Sequence, residues 1–248
     1  MAGIRLDRLL VDRGLAPSRE RAQRLIMAGS VLVDDRPATK PGTVVAADAR
    51  VRIKDAAASY ASRGGEKLAG ALDAFGLAVA GRVALDVGAS TGGFTDVLLR
   101  RGARRVIALD VGYGQLAWAL RQDPRVTVLD RTNARYLTAD RLPEPPGVVT
   151  IDVSFISLAL VLPAVAPVLA PGGDVIALVK PQFEVGREAV GKGGVVRDPA
   201  ARAAAVAGVR EAAAGCGLSA RAEADSVLAG PAGNREIFLW LVRAMPSS

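Results

Sequence analysis

The segment LDVGASTGGF, residues 85–94, decides the fold class. It joins the aliphatic run VALDV to a glycine-rich turn and then to a helical pattern. Four more aliphatic runs follow along the chain: VIALD at 106–110, VTVL at 126–129, VVTID at 148–152 and VIALVK at 175–180. Because helical stretches separate these runs, the alternation predicts an α/β fold, a mostly parallel sheet with helices on both faces.

The glycine-rich turn is the first place to look for a ligand, since ligands of such sheets bind beyond the carboxyl ends of the strands. Its spacing does not fit a dinucleotide fingerprint, because G-A-S-T-G-G lacks glycine at the third position. Asp86 beside the turn would repel a pyrophosphate, whereas it suits a ligand with an ammonium group, such as the methionine part of S-adenosylmethionine. The predicted cofactor residues of this segment are Asp86, Gly88, Ser90, Gly92, Gly93 and Phe94.

Two further polar residues follow neighbouring strands. Asp110 ends the second strand, 24 residues after Asp86, where a carboxylate can accept hydrogen bonds from both ribose hydroxyls of a nucleoside. Asn133 follows the third strand and can reach an adenine. Structural glycines and an N-capping aspartate would explain each residue separately, but they would not explain why all lie at one edge.

The N-terminal part of the chain has a different character. Residues 1–55 carry 11 basic and 7 acidic side chains, and leucines at helical spacing predict two short helices packed on a small sheet. The run SRERAQRLIMAGSVLVDDRPA resembles the RNA-binding domain of ribosomal protein S-four and of pseudouridine synthases. We therefore predict a small α+β RNA-binding domain with its linker at 1–59 and a larger domain at 60–248. A solvated helix face is the alternative reading of its arginines.

Composition excludes several classes of protein. The 248 residues include no histidine and one cysteine, Cys216, which argues against histidine bases, zinc sites and disulfide frameworks, and no metal is expected. Residues 153–173 carry no charge but contain three prolines, so they predict a buried helix rather than a membrane span. Charges near the start argue against a signal peptide, and a cytoplasmic protein is expected. Nothing in the sequence indicates an oligomeric state.

Several longer motifs resemble one family closely. SRGGEKL, LDVGASTGGFTDVLLRRGA, VGYGQLAW, DRTNAR, DVSFISL, VKPQFEVG, GKGGVVRD and GNREIFLWL are similar to the TlyA (haemolysin A) family of rRNA 2'-O-methyltransferases, whose larger domain is of the FtsJ type. The resemblance implies a Rossmann-like class I methyltransferase domain that uses S-adenosylmethionine to methylate cytidine ribose in small- or large-subunit rRNA. It also implies a catalytic Lys, Asp, Lys, Glu tetrad, which falls on Lys67, Asp152, Lys180 and Glu236.

Lysine chemistry is consistent with that implication. A ribose hydroxyl must lose its proton as it attacks a methyl group, and free lysine, with a pKa of about 10.4, has to be held as the neutral amine to accept it. A second lysine and the cofactor's sulfonium favour the neutral form, and the two carboxylates oppose it. We expect Lys180 to be the base, Lys67 to bind the substrate oxygen or a phosphate, and the carboxylates to orient both. Two surface ion pairs are the structural alternative.

The glycine-rich stretch 181–198 is predicted to be an irregular loop that closes over RNA. With the helical pair of the N-terminal domain, it completes the predicted RNA contacts. These are Arg5, Arg8, Arg19, Arg24, Arg63, Arg187 and Lys192. Two other functions are kept open: a non-catalytic module that binds RNA and ribosomal subunits, and a haemolysin-like membrane-active protein, for which the chain offers no basic amphipathic helix.

Overall fold

A computed structural model describes residues 3–27, 29–34, 36–53 and 60–243. The chain divides into two compact units, residues 1–59 and 60–248. The run DAAASYAS at 55–62 has no apolar period and is predicted to be the linker between the two domains, and its residues 55–59 lie outside the described residues.

The N-terminal unit combines two helices with short antiparallel strands. Its apolar core contains Leu6 and Leu10 of the first helix, Ile26 of the second and Val31 of the sheet, all with no exposed surface. Gly14 follows the first helix with φ +67°, a conformation that suits glycine. The elements are β1 (Ile4–Arg5), α1 (Leu6–Asp12), α2 (Arg19–Met27), β2 (Val31–Val33), β3 (Arg36–Ala38), β4 (Val44–Val45) and β5 (Val51–Ile53). Strands β3, β2 and β5 form one sheet, and β1 pairs with β4.

The larger unit is built on a seven-stranded sheet in the order β11-β12-β10-β9-β6-β7-β8. The five strands from β10 to β8 are parallel, and β12 and β11 add an antiparallel edge. The strands are β6 (Val83–Val87), β7 (Arg105–Leu109), β8 (Val126–Leu129), β9 (Val148–Ile151), β10 (Asp174–Val179), β11 (Leu218–Asp225) and β12 (Ile237–Arg243). The predicted mostly parallel α/β sheet is confirmed.

Helices cover both faces of this sheet. Successive side chains of a strand point to opposite faces, so Leu85 packs in one apolar cluster with Val165 and Val209, while Ala84 packs in the other with Leu68 and Leu98. The helices are α3 (Arg63–Phe75), α4 (Gly93–Arg100), α5 (Trp118–Arg121), α6 (Leu162–Val168), α7 (Pro181–Glu184) and α8 (Pro199–Gly215).

The uncharged segment 153–173 folds as a 3₁₀ turn, Leu158–Leu160, followed by the seven-residue helix α6. Leu162 and Val165 of α6 are fully buried, as the buried-helix prediction requires. Within the described ranges, we find no helix that combines the length and the apolar character of a membrane span.

The prediction that 181–198 is irregular throughout was wrong for its first part. Helix α7 begins directly after Lys180, with Pro181 at its first position, where a missing N–H costs no hydrogen bond. Glu184 at its end accepts hydrogen bonds from Ser157 Oγ at 2.6 Å and from the Leu158 backbone N–H at 3.0 Å. These bonds anchor the turn to the segment after β9. A 3₁₀ turn at Arg187–Ala189 follows.

Candidate active site

The polar residues predicted at strand ends lie at one edge of the sheet. Gly88, Asp110, Asp152 and Lys180 follow directly after β6, β7, β9 and β10. These four strands are parallel neighbours, so their carboxyl ends meet there. The topology therefore brings together residues that are up to 92 positions apart in the chain.

The glycine turn after β6 packs tightly against the segment after β9. Gly88 has φ +87°, and a Cβ atom there would lie 2.4 Å from the Asp152 carbonyl oxygen. The Asp152 N–H in turn donates to the Val87 carbonyl at 2.9 Å. Because only glycine allows this approach, the turn holds the backbone of Asp152 against the end of β6.

A cavity of about 520 Å³ opens beside this turn. Asp110 lines it, and its carboxylate accepts hydrogen bonds from the backbone N–H groups of Ser90 at 2.8 Å and Gly112 at 2.7 Å. Asn133 also lines it, and its side-chain oxygen accepts from the Arg135 N–H at 3.0 Å. These bonds hold both polar side chains at the wall of a cavity that is also lined by apolar groups such as Leu109 and Ile156.

A larger cavity of about 730 Å³ contains all four residues of the predicted tetrad. It shares Gly88, Ser90, Asp152, Ser154 and Phe155 with the smaller cavity. Asp152 therefore faces both spaces, and a ligand in the smaller cavity would abut the tetrad.

The first lysine–carboxylate pair of the tetrad is nearly closed to solvent. Lys67 Nζ lies 2.5 Å from Glu236 Oε2, and the two side chains are 10% and 1% exposed. Lys67 projects from the buried face of α3, while Glu236 precedes β12. A Cβ atom at Gly230 would lie 2.5 Å from Glu236 Oε1, so the absence of a side chain there leaves room for the carboxylate.

The second pair is more open and has a third member. Lys180 Nζ lies 2.6 Å from Asp152 Oδ1, and it also donates a hydrogen bond to Ser154 Oγ at 2.9 Å. Both partners come from the turn after β9, while Lys180 follows β10. The amine is thus held by two oxygens on one side.

Asp86 occupies a different place from the one predicted. Its carboxylate is fully buried and accepts hydrogen bonds from Thr95 Oγ1 at 2.7 Å and Thr150 Oγ1 at 3.1 Å. It lines neither cavity, because strand β6 places it under the turn rather than beyond its own carboxyl end. Burial raises the pKa of this carboxyl to about 7, against the opposing hydrogen bonds of the two threonines.

The other predicted cofactor residues of the turn also differ in whether they line a cavity. Gly88, Ser90, Gly93 and Phe94 line the larger cavity. Gly92 lines neither, and a Cβ atom there would contact Leu120.

Comparison with known proteins shows the family of each unit. A family model described as FtsJ-like methyltransferase matches residues 60–243, and the S4 domain model matches residues 4–51. The chain is 54% identical to the 16S/23S rRNA (cytidine-2'-O)-methyltransferase TlyA of Mycobacterium tuberculosis, over 96% of this chain and 89% of that protein. This chain belongs to the TlyA family of FtsJ-like methyltransferases.

Further relatives support the same assignment and confirm the resemblance seen in the motifs. The chain is 34% identical to the 23S rRNA (cytidine-2'-O)-methyltransferase TlyA of Campylobacter jejuni, over 74% of this chain and 71% of that protein. The solved structure of a hemolysin-named protein from Streptococcus thermophilus superposes with a TM-score of 0.77 at 42% identity, covering 98% of this chain and 90% of that one. All four tetrad residues lie within the methyltransferase match.

The predicted RNA-contacting arginines of the S4 domain have unequal surroundings. Arg5 and Arg19 both bond to the buried carboxylate of Asp7, at 3.0 Å each for the ion pairs. Arg8 pairs with Asp12 one helical turn later at 3.6 Å, with both side chains exposed. Arg24 is exposed on α2.

The RNA-contacting residues predicted in the larger unit also differ in position. Arg63 lines the larger cavity. Arg187 and Lys192 are exposed on the segment after α7 and line neither cavity.

Sequence reasoning missed several residues that line the larger cavity, among them Ser154, Phe155, Gln182 and Phe183. Phe155 is 92% exposed with φ +64°, and its ring lies 5.2 Å from that of Phe183. The signal was available, since all four follow within four residues of a strand end that already carried a predicted catalytic residue.

Proposed function

We propose that this chain is an S-adenosylmethionine-dependent methyltransferase that modifies the 2'-hydroxyl of cytidine in ribosomal RNA, with Lys180 as general base. The observation that carries the proposal is that two lysine–carboxylate pairs share one cavity beside the glycine turn. The relatives named as rRNA (cytidine-2'-O)-methyltransferases support the substrate class.

The smaller cavity fits the nucleoside part of the cofactor. Asp110 offers carboxylate lone pairs to ribose hydroxyls, and Asn133 offers an amide near the base position. Gly88 and Ser90 line both cavities and would hold the amino-acid part at the point where the two spaces join. When bound, S-adenosylmethionine supplies an electrophilic methyl group.

In this proposal, Lys180 removes the proton from the substrate hydroxyl as the oxygen attacks. The chain has no histidine that could act as the base. The ion pair of Lys180 with Asp152 is more exposed to solvent than that of Lys67 with Glu236, so a proton taken from the cavity can leave to solvent. Asp152 holds the amine in place. Lys67, fixed by Glu236, presents a cation to the substrate oxygen or to a neighbouring phosphate.

Ribosomal RNA would be bound by both units. The S4 match and the arginines of α1 and α2 favour contact with an A-form backbone, which proteins read by shape and charge. Arg63, Arg187 and Lys192 would add phosphate contacts near the site. Ribosomal subunits in the cytoplasm are the proposed location and partner.

Methyl transfer from radiolabelled S-adenosylmethionine to rRNA tests the proposal. The wild type should label rRNA at a cytidine 2'-hydroxyl, mapped by primer extension. Lys180→Ala should lower turnover by at least a hundredfold and leave cofactor affinity within about threefold. Lys180→Arg is the matched variant, because it keeps the positive charge but does not give up its proton at neutral pH.

The outcomes separate the alternatives. Loss of activity in both variants supports a base. Retained activity in Lys180→Arg would show that only charge is needed at this position. A wild type that binds rRNA and cofactor without transferring label would instead indicate a non-catalytic RNA-binding module.

A further inference from the structure

The catalytic machinery contains an oxygen that lies outside the tetrad. Ser154 Oγ accepts a hydrogen bond from Lys180 Nζ at 2.9 Å, beside the ion pair of that lysine with Asp152 at 2.6 Å. Ser154 lies at the junction of the two cavities and lines both. It therefore stands next to the reacting atoms that the proposed function requires.

A hydrogen-bond acceptor beside an ion-paired carboxylate has a specific consequence for an amine base. A neutral lysine amine carries two N–H bonds and one lone pair, arranged tetrahedrally with the bond to Cε. When Ser154 accepts one N–H, the charged Oδ1 of Asp152, which forms an ion pair with Nζ without hydrogen-bond geometry, attracts the second N–H and repels the lone pair, so the remaining direction belongs to the lone pair. With Asp152 alone, the amine can rotate about the bond to Cε and place its second N–H, instead of the lone pair, toward the substrate.

The backbone around Ser154 also favours a dedicated position. Phe155, the next residue, has φ +64°, a left-handed conformation that is uncommon for an aromatic residue. On the other side, the Asp152 N–H is bonded to the Val87 carbonyl at 2.9 Å. Ser154 thus lies two residues after an anchored position and directly before a strongly turned one, and its exposed hydroxyl accepts the hydrogen bond from Lys180.

We infer that Ser154 is a positioning residue, which aims the lone pair of Lys180 at the substrate hydroxyl by accepting one of its N–H bonds. The inference rests on the proposed function, since it gives Lys180 the role of base. Ser154 itself forms and breaks no covalent bond. Its contribution is geometric, because proton transfer requires the base to be aligned with the proton that it accepts.

Steady-state kinetics of Ser154→Ala and Ser154→Thr test this inference. Ser154→Ala should lower kcat about tenfold, with the KM for rRNA and the Kd for S-adenosylmethionine within twofold of wild type. Ser154→Thr keeps a hydroxyl at the same Cβ and should recover at least half of the wild-type kcat. Ser219→Ala makes the same chemical change on the exposed face of β11 and should have no effect.

Each result decides something. If Ser154→Ala keeps the wild-type kcat while Lys180→Ala is inactive, the positioning role is wrong and the proposed function stands. If Ser154→Ala and Ser154→Thr lose kcat equally, the hydroxyl is not the cause and the inference also fails. A wild type that transfers no methyl group to rRNA would overturn the proposed function and this inference together.

Discussion

Among the described residues, each unit of the chain has one aspartate with no exposed surface, and the pKa values of the two are shifted in opposite directions. Asp7 in the S4 domain accepts bonds from Arg5, Arg19 and Gln23, and these partners hold its pKa well below the ordinary value. Asp86 in the methyltransferase domain accepts hydrogen bonds from the uncharged hydroxyls of Thr95 and Thr150, and burial raises its pKa to about 7. Both carboxylates are closed to solvent, but Asp7 lies beneath partly exposed arginine side chains and Asp86 lies deep in the core, so depth and the charge of the partners together decide the ionisation.

The difference shows what a neutral hydrogen bond can and cannot do. Two hydroxyl donors satisfy the lone pairs of Asp86, but they do not balance its charge in a low-dielectric interior, whereas two guanidinium groups balance that of Asp7. The pH dependence follows with opposite sign. Asp7 stabilises its unit above the ordinary pKa of about 4 and loses that contribution in acid. In acid, Asp86 is protonated in both the folded and the unfolded chain and does not lower the stability of its domain. It lowers that stability progressively as the pH rises from about 4 to 7, because the unfolded chain loses the proton more readily.

The largest expected effect is that of Asp86→Asn on the stability of the methyltransferase domain. The free energy of unfolding of this variant, measured relative to wild type, should rise by on the order of 4 kcal/mol from pH 4 to pH 8, because asparagine has no charge to bury. Urea unfolding followed by tryptophan fluorescence measures it. Trp118 and Trp240, the two tryptophans of the chain, both lie in this domain.

Asp73→Asn is the matched control for that measurement. Its side chain is 64% exposed, so its stability difference from wild type should stay constant over the same pH range. If the Asp86→Asn difference is also constant, the buried carboxyl keeps its charge and the contrast with Asp7 is broken.

A smaller effect is expected for Asp7→Asn in the S4 domain. At pH 7 this unit should lose about 2 kcal/mol of stability, because charge-assisted bonds from two arginines are replaced by weaker ones. Hydrogen exchange of peptides from residues 3–53 reports it. The loss should begin to shrink below about pH 4, where Asp7 of the unfolded chain takes up a proton, and it should vanish only once the pH falls below the depressed pKa of folded Asp7.

Asp12→Asn supplies the comparison for Asp7. Asp12 pairs with Arg8 at 3.6 Å on the surface, and exposed pairs of this kind contribute less than about 0.5 kcal/mol. If hydrogen exchange is accelerated equally in Asp7→Asn and Asp12→Asn, the buried ion pairs of Asp7 stabilise the domain no more than the exposed pair of Asp12.

The two aspartates also show how far sequence reasoning reaches. Alternating aliphatic runs predicted the parallel sheet, and because parallel strands end at one edge, they also placed Asp110, Asp152 and Lys180 there. The depth of Asp86 was not predictable, since a residue one position before the end of a strand can face the ligand or the core. Helix α7 depends on Glu184 bonding to Ser157, a contact across 27 positions that no local pattern encodes.

The pairing within the tetrad has the same origin. Family resemblance identified Lys67 and Glu236, which are 169 positions apart, but only the packing of α3 against β12 determines that they pair with each other. The position of Ser154 near a strand end was readable from the sequence, but its hydrogen bond to Lys180, across 26 positions, was not. Chemistry that depends on long-range packing therefore had to come from the structure.

The smallest effect concerns RNA binding. Two arginines of helix α2 are expected to behave differently, because one of them bonds to Asp7. Arg19 bonds to that carboxylate through Nε, whereas Arg24 is exposed on the same helix. Arg24→Ala should weaken rRNA binding about fivefold, reduce the salt slope of binding by about one, and leave hydrogen exchange of residues 3–53 unchanged.

Arg19→Ala should weaken binding and also accelerate that exchange, since it removes a cation from a buried anion. Filter binding at several salt concentrations, with exchange on the same samples, measures both. If Arg19→Ala leaves exchange unchanged, Arg19 acts only at the RNA surface, and the low pKa of Asp7 depends mainly on Arg5, the largest of its causes.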